Sequence, residues 1–242
     1  MTKLAVLVAM LAVTGGCGRD GADAGSRPLT VFAASSLTEV FPELEPRARY
    51  QFAGSDDLAL QLREGAGADV LAAASLNYSA ELHDEGVVGQ PVVFATNRLV
   101  LAVPEDNPGG IRSVDDLSAP DVRLVIGAEG VPVGDYTRQV LDNLDATAVL
   151  ESVVSEEEDV KAIVSKIALG EADAGFVYAT DVRSAEEDIL SIELPAEAQP
   201  TVEYTIAVVS ESERKTEAQA FIDLVLSDEG VEALEAAGFG TP

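Results

Sequence analysis

Three short segments place hydroxyl or small residues between a strand-like apolar run and a helix-like pattern. Residues 32–38 (FAASSLT) close the first predicted strand, residues 52–58 (FAGSDDL) follow the next one, and residues 131–136 (VPVGDY) lie in mid-chain. Serine hydroxyls donate hydrogen bonds, and the first turn of a helix carries backbone N–H groups without acceptors. Such turns suit an anion site made of neutral donors, although a serine in this position is more often a simple helix cap.

The elements that must position these turns alternate along the chain. Continuously apolar runs, typical of parallel strands covered on both faces, predict strands at 29–33, 69–74, 98–103, 122–126, 174–179 and 204–209. Helical periodicity is clearest at 157–169 and recurs at 135–144 and 216–237, the last as two helices separated near 227–228. This alternation predicts an α/β protein whose strand ends share one ligand crevice.

The charge balance and the rarest residues exclude several function classes. The chain has 15 Lys+Arg against 43 Asp+Glu, a formal net charge of -28, which disfavours nucleic acids and anionic surfaces as partners. One cysteine and one histidine argue against a disulfide framework, a histidine-based metal centre and a histidine-dependent triad. The acidic run 156–159 is interpreted as a solvated helix start rather than a calcium or iron site.

The N-terminal residues resemble a bacterial lipoprotein leader. Residues 4–13 (LAVLVAMLAV) form an apolar stretch too short to span a membrane, and Cys17 follows it behind two glycines. Thr14 departs from the lipobox pattern, which prefers leucine there. We predict a leader over 1–17 with an acylated Cys17, a flexible tether over 18–28, and an extracytoplasmic protein held to the membrane by lipid alone. The alternative is an ordinary signal peptide that leaves Cys17 as a free thiol.

The order of motifs from residue 29 to residue 242 resembles the substrate-binding proteins of bacterial molybdate ABC transporters. The two serine turns and the 131–136 turn occur in the order and at the separations of that family. The remaining segments that carry the resemblance are 67–70 (GADV), 95–101 (ATNRLVL), 158–160 (EDV), 170–175 (GEADAG) and 177–181 (VYATD).

The resemblance implies a two-lobed periplasmic-binding-protein fold of type II, with two α/β lobes joined by crossover strands and a ligand cleft between them. It assigns 29–94 plus 205–242 to one lobe and 95–204 to the other. It further implies a monomeric receptor that binds molybdate or tungstate without a cofactor and delivers it to an ABC permease. The implied donors to the anion are the hydroxyls and backbone N–H groups of Ser36 and Ser55, the backbone N–H groups of Val133 and Val160, and the phenolic O–H of Tyr178; no metal ion is bound directly.

The donor set fits the implied ligand chemically. Molybdate and tungstate are fully deprotonated dianions at neutral pH, so they require donors only, whereas phosphate would need an acceptor for its proton. Without the resemblance, the serines would be interpreted as caps, the valines as core residues and Tyr178 as a core aromatic. Asp56 and Asp57 depart from the family pattern, and a carboxylate beside a dianion repels it unless it points to solvent. The segment before Ser55 is also shorter than usual by about two helical turns.

Three alternatives remain open at the level of sequence. The same fold could bind sulfate or thiosulfate, and cavity size would distinguish molybdate from sulfate. It could bind ferric iron, but Tyr78, Tyr136 and Tyr178 do not cluster in sequence. An enzyme with Ser35 or Ser36 as nucleophile would have only His83 as base and lacks the G-x-S-x-G turn.

Overall fold

The computed structural model describes residues 27–242. The predicted leader, the acylated Cys17 and residues 18–26 of the predicted tether lie outside the described residues. Within the described range, every helix is too short or too polar to span a bilayer.

Residues 27–242 contain ten strands and eight α-helices, which largely alternate. The strands are β1 Thr30–Ala34, β2 Arg49–Ala53, β3 Val70–Ala73, β4 Val92–Asn97, β5 Leu99–Pro104, β6 Leu124–Gly127, β7 Val153–Glu157, β8 Ala174–Tyr178, β9 Ile189–Glu193 and β10 Val202–Val208. The helices are α1 Val40–Leu44, α2 Ser55–Arg63, α3 Leu76–Asp84, α4 Pro132–Asn143, α5 Val160–Ala168, α6 Ala179–Ser184, α7 Lys215–Val225 and α8 Asp228–Ala236. The prediction of an α/β protein is confirmed.

The strands form two five-stranded sheets, each with its own helices. The first sheet has the order β2-β1-β3-β10-β4 and the second has the order β7-β6-β8-β5-β9. We call the first sheet with α1–α3, α7 and α8 lobe 1, and the second sheet with α4–α6 lobe 2. Helix faces cover the sheets through regular apolar spacing, as in α5, where Val160, Ile163, Val164 and Ile167 are buried.

The expectation that the apolar runs are all parallel strands is wrong for two of them. β10 runs antiparallel to β3 and β4, and β5 runs antiparallel to β8 and β9. In the first sheet, β1 pairs in parallel with β2 and with β3. In the second sheet, β6 pairs in parallel with β7 and with β8. A continuously apolar run indicates that both faces of a strand are covered, but it does not indicate whether the strand runs parallel or antiparallel to its neighbours.

Two helices begin a few residues away from the positions that the helical periodicity predicts, because of local capping and strand formation. The helix expected from 157 begins at Val160, because 153–157 form β7 and Asp159 caps the helix by accepting the Ala162 N–H at 2.9 Å. The helix expected from 135 begins at Pro132, since proline is favoured in the first turn, where no hydrogen-bonded N–H is needed. The predicted break near 227–228 is confirmed, with Ser227 as the cap of α8.

The chain passes between the lobes twice. β4 ends at Asn97 in the first sheet and β5 begins at Leu99 in the second, and the return runs from β9 through residues 194–201 into β10. β4 and β10 pair with each other, so both passages leave the same edge of lobe 1. The expected lobe limits, 94/95 and 204/205, fall inside these two strands.

Candidate functional site

A small cavity lies where the carboxyl ends of the parallel strands of both sheets meet. Its volume is about 20 Å³. Six strands, β1–β3 and β6–β8, line the cavity with residues at or just beyond their carboxyl ends. In lobe 1 these residues are Ala34, Ser35 and Ser36 at β1, Ala53, Gly54 and Ser55 at β2, and Ala74 at β3. In lobe 2 they are Val131, Pro132 and Val133 after β6, Asp159 and Val160 after β7, and Tyr178 at β8. The cavity is therefore an interlobe site at the position that open parallel sheets favour.

Ser36 is oriented by a chain of hydrogen bonds behind the cavity. The Arg98 backbone N–H donates to Asn97 Oδ1 at 2.9 Å, which fixes the amide so that Nδ2 faces Tyr204 Oη at 3.4 Å. Tyr204 Oη lies 2.9 Å from Ser36 Oγ, and both groups are buried. Tyr204 Oη can accept from Asn97 Nδ2 while it donates its own proton to Ser36 Oγ, and in that arrangement the Ser36 hydroxyl proton is free to point into the cavity.

Ser55 is oriented by a backbone group from the neighbouring strand end. Its Oγ accepts the Ala74 N–H at 3.0 Å, and the residue is 1% exposed. An oxygen that accepts this bond keeps its own O–H free to donate. Ser55 opens α2 directly after Gly54, so its backbone N–H also belongs to the unsatisfied first turn of a helix.

Two helix starts of lobe 2 face the cavity from the opposite side. Val160 is the first residue of α5, and Val133 is the second residue of α4, where Pro132 carries no N–H. The close approach of α4 to the end of β6 requires Gly134, since a Cβ there would collide with the carbonyl oxygens of Gly127 and Ala128. The N–H groups of both valines lack intrahelical acceptors, while their side chains are buried in the core.

Tyr178 brings a hydroxyl that finds no partner of its own. The residue is 2% exposed, lines the cavity, and its Oη makes no hydrogen bond with any of residues 27–242. Burial, together with the nearby Tyr204, Tyr136, Asp181 and Asp135, raises the pKa of this phenol well above its ordinary value. The group therefore remains protonated and can act only as a neutral donor or as a hydroxyl acceptor.

The charges near the cavity are few. Within the described part of the chain its lining contains no lysine or arginine, and its one carboxylate, Asp159, is engaged in capping α5. Behind Tyr178, Asp181 is buried with its Oδ1 3.4 Å from Lys161 Nζ, and burial raises the pKa of this carboxyl to about 6 despite the ammonium. A dianion in the cavity would thus be held by dipoles rather than by a formal positive charge.

Contacts between the lobes surround the cavity. Tyr78 of α3 donates its O–H to the Gly130 carbonyl oxygen in the turn before α4, and Lys161 Nζ of α5 lies 3.9 Å from Glu39 Oε1 of lobe 1. Tyr136 on α4 is partly buried, which raises the pKa of its hydroxyl to about 12. The lobes are therefore in direct contact at two places, each next in sequence to a residue that lines the cavity.

The structure brings together all five residues that the resemblance singled out. Sequence reasoning did not find Asn97 and Tyr204, which orient Ser36, because they lie on separate strands whose pairing no local pattern reveals. His83 lies apart: its Nδ1 is 3.3 Å from the Val88 carbonyl oxygen within lobe 1. Tyr78 and Tyr136 do not line the cavity, and residues 27–242 contain no cluster of three or more His, Cys, Asp or Glu side chains suited to a metal ion.

Comparison with known proteins places the chain among receptors for solutes. Residues 29–240 match the family described as bacterial extracellular solute-binding protein. The molybdate-binding protein ModA of Mycobacterium tuberculosis is 34% identical over 232 residues, covering 92% of this chain and 88% of that protein. A putative ABC transporter substrate-binding lipoprotein of Bacillus subtilis, YvgL, is 26% identical over 98% of this chain and 96% of its own. The periplasmic molybdate-binding protein of Azotobacter vinelandii superposes with a TM-score of 0.77 at 22% identity, covering 88% of this chain and 99% of that one.

Proposed function

Because the chain belongs to the bacterial extracellular solute-binding protein family, we propose that it captures molybdate or tungstate in the interlobe cavity and delivers the anion to an ABC permease. The fold is the one that this activity needs, since two lobes that hinge about the β4 and β10 connections can close over a small solute.

The observation that carries the proposal is the buried hydroxyl of Tyr178, which finds no hydrogen-bond partner among residues 27–242. A buried hydroxyl without a hydrogen bond costs free energy, so a ligand that accepts from it gains what the free protein lacks. The same cavity collects two serine hydroxyls and two helix starts, all of which can donate. We propose that Ser36, Ser55 and Tyr178 donate through their hydroxyls and that Val133 and Val160 donate through their backbone N–H groups.

The chemistry of the donors favours a fully deprotonated oxyanion. Phosphate at neutral pH retains a proton, which would need a free acceptor, whereas the lining carboxylate Asp159 already accepts the Ala162 N–H. Molybdate and tungstate require donors alone, and relatives of this chain are named as molybdate-binding proteins. Sulfate has the same tetrahedral shape and charge, so it is the second candidate; a sulfate-binding protein of Mycobacterium tuberculosis shares the fold with a TM-score of 0.74.

Location and partners follow from the same proposal. We propose that the leader is removed, that Cys17 carries the lipid anchor, and that the protein acts as a monomer outside the cytoplasmic membrane; the likeness to a lipoprotein over 98% of the chain supports the anchor. An enzymatic role finds less support, because the histidine that would have to serve Ser35 or Ser36 as base is bonded to the Val88 carbonyl and does not line the cavity.

A binding experiment tests the proposal directly. The purified protein would be titrated by calorimetry with molybdate, tungstate, sulfate and phosphate at fixed ionic strength, with thermal denaturation as a second readout. A ligand at one hundred times its Kd adds about 2.7 kcal/mol of stability. We expect saturable binding of molybdate and tungstate. Binding of sulfate alone would select the second candidate, and no response to any of the four would overturn the oxyanion receptor.

A further inference from the structure

Asp56 occupies an unusual position beside the cavity. It is the second residue of α2, directly after Ser55, and its Oδ1 is inaccessible to solvent yet makes no hydrogen bond within residues 27–242. Its neighbour Asp57 is exposed, and its Oδ2 accepts a hydrogen bond from Gln61 Nε2 at 2.9 Å. Two adjacent aspartates of equal charge therefore have different surroundings: Asp57 is exposed, whereas Asp56 is half-buried with one carboxyl oxygen shielded from solvent.

The carboxyl of Asp56 faces a backbone carbonyl of the opposite lobe. A Cβ placed on Gly54 would lie 2.5 Å from Asp56 Oδ1 and 2.5 Å from the carbonyl oxygen of Glu158, in the turn that leads into α5. Because both oxygens lie 2.5 Å from this Cβ position, Asp56 Oδ1 and the Glu158 carbonyl oxygen are at most twice that distance apart. Both atoms are acceptors when Asp56 is ionised, and Gly54 provides the space between them only because it has no side chain. A proton on Asp56 turns this pair into a donor and an acceptor.

The groups around Asp56 are negative or neutral. Asp57 lies on the same helix, Asp135 faces Asp56 from α4, and both oppose its ionisation. Tyr78 of α3 is close enough for Asp56 to raise the pKa of its phenol, and its O–H is already donated to Gly130.

Among residues 27–242, no lysine or arginine forms an ion pair with Asp56, Asp57 or Asp135. Arg63, at the far end of α2, is engaged with Glu81 and Glu85. Burial is the main cause that raises the pKa of Asp56 itself, although backbone N–H groups at the start of α2 oppose the shift.

We propose that Asp56 couples capture of the oxyanion to the uptake of one proton. When the lobes close, the neutral carboxyl donates its O–H to the Glu158 carbonyl oxygen and ties α2 of lobe 1 to the start of α5 in lobe 2. The proton comes from solvent, and no covalent bond changes. This inference rests on the proposed function, because the dianion and the ionised carboxyl repel each other across Ser55.

A pH dependence of affinity follows by linkage. If the closed, liganded state binds one more proton than the free state, affinity falls as pH rises, by at most about tenfold per pH unit. The neutral form also removes a negative charge from beside the bound dianion. A receptor of this kind binds its anion more tightly in mildly acidic surroundings.

The experiment compares the wild type with Asp56→Asn and the matched control Asp57→Asn. Both variants remove one carboxylate from adjacent positions, and only Asp56→Asn replaces the buried group with a permanent N–H donor. Calorimetry with molybdate at about pH 6 and about pH 8, in buffers of different ionisation enthalpy, yields Kd and the number of protons taken up. Thermal denaturation without ligand verifies that each variant is folded. All three proteins are titrated with the same ligand solution, so any protons that the ligand itself takes up or releases contribute equally to the three measurements.

We expect proton uptake and a rising Kd with pH in the wild type and in Asp57→Asn. In Asp56→Asn, uptake disappears and Kd varies little with pH, so the variant binds more tightly than the wild type at the higher pH. Tight binding by the wild type without proton uptake would overturn the coupling and leave the proposed function intact, as would an Asp56→Asn variant with unchanged uptake. Failure of the wild type to bind molybdate, tungstate or sulfate would overturn the proposed function and this inference with it.

Discussion

Tyr204 Oη lies 2.9 Å from Ser36 Oγ, although the two residues are 168 positions apart in the chain. The contact joins the strand by which the chain re-enters lobe 1 to the first serine turn of the cavity. It makes the direction of the Ser36 hydroxyl depend on the connection between the lobes, since Asn97 on the other connecting strand completes the chain of bonds.

Replacement of Tyr204 by phenylalanine should weaken oxyanion binding. The ring packing remains, but Ser36 loses the hydrogen-bond partner that orients its hydroxyl, so we expect Kd to rise about tenfold, or about 1.4 kcal/mol. The matched control is Tyr50→Phe, which loses hydrogen bonds to the Phe41 and Glu45 carbonyls inside lobe 1. Calorimetry should find the control's Kd unchanged, and an equal loss in both variants would contradict the role of Tyr204.

Replacement of Tyr178 by phenylalanine should separate binding from stability. The hydroxyl has no partner within residues 27–242, so its removal should leave the free energy of unfolding unchanged or slightly higher. Loss of a hydrogen bond to a charged ligand should raise Kd by about 10- to 100-fold. Denaturant unfolding and titration of the same sample check both halves. A destabilised variant with unchanged affinity would mean that Tyr178 is only a core residue.

Two substitutions at Val160 should distinguish its backbone from its side chain. Val160→Ala removes core packing and should cost about 1–3 kcal/mol of stability with little change in Kd. Val160→Pro shares that loss and also removes the N–H, at a helix position that tolerates proline. The preceding Asp159 is extended, with φ −157° and ψ 171°, as a residue before proline must be. We therefore expect helix content to persist by circular dichroism while Kd rises about tenfold or more only in the proline variant. Equal affinities would exclude the Val160 N–H as a ligand.

The stability of the protein should depend on pH through Asp181. Its pKa is raised from 3.8 to about 6 by burial, so the folded protein holds a proton that the unfolded chain has released. The free energy of unfolding should therefore fall between about pH 4 and about pH 6, by up to about 3 kcal/mol from this group. Asp181→Asn should remove that contribution, whereas Asp142→Asn, at an exposed site on α4, should not. Urea unfolding across this range measures the difference, and parallel curves for the wild type and Asp181→Asn would contradict it.

The sequence predicts the fold and the turns of the site because both depend on local patterns. The apolar runs mark strands, and a serine turn before a helix marks a strand end, so local patterns predict the α/β order and the serine turns. The choice of Ser36, Ser55, Val133, Val160 and Tyr178 as a set comes from the family resemblance, and the structure brings these five residues to one cavity. Strand direction could not be predicted, since β5 and β10 are as apolar as their parallel neighbours.

What the sequence could not predict depends on pairs of distant residues. The partnership of Asn97, Tyr204 and Ser36 arises from the register of β4 against β10, which includes a bulge at residues 204–205. The sequence marks Asp56 and Asp57 as equal departures from the family, and only burial distinguishes them. The interlobe bond from Tyr78 to Gly130 joins a helix and a turn 52 residues apart, without a motif at either end.

The position of β10 has a consequence for the order in which the molecule can be assembled during synthesis. The second sheet draws all its strands from one uninterrupted stretch, β5 to β9, and can be completed as soon as that stretch exists. The first sheet cannot, because β10 belongs between β3 and β4 and is the last strand to be made. Until then β3 and β4 each present an unpaired edge, which invites mispairing. Since β10 also carries Tyr204, which contacts Ser36, the proposed anion site is complete only after β10 has been made.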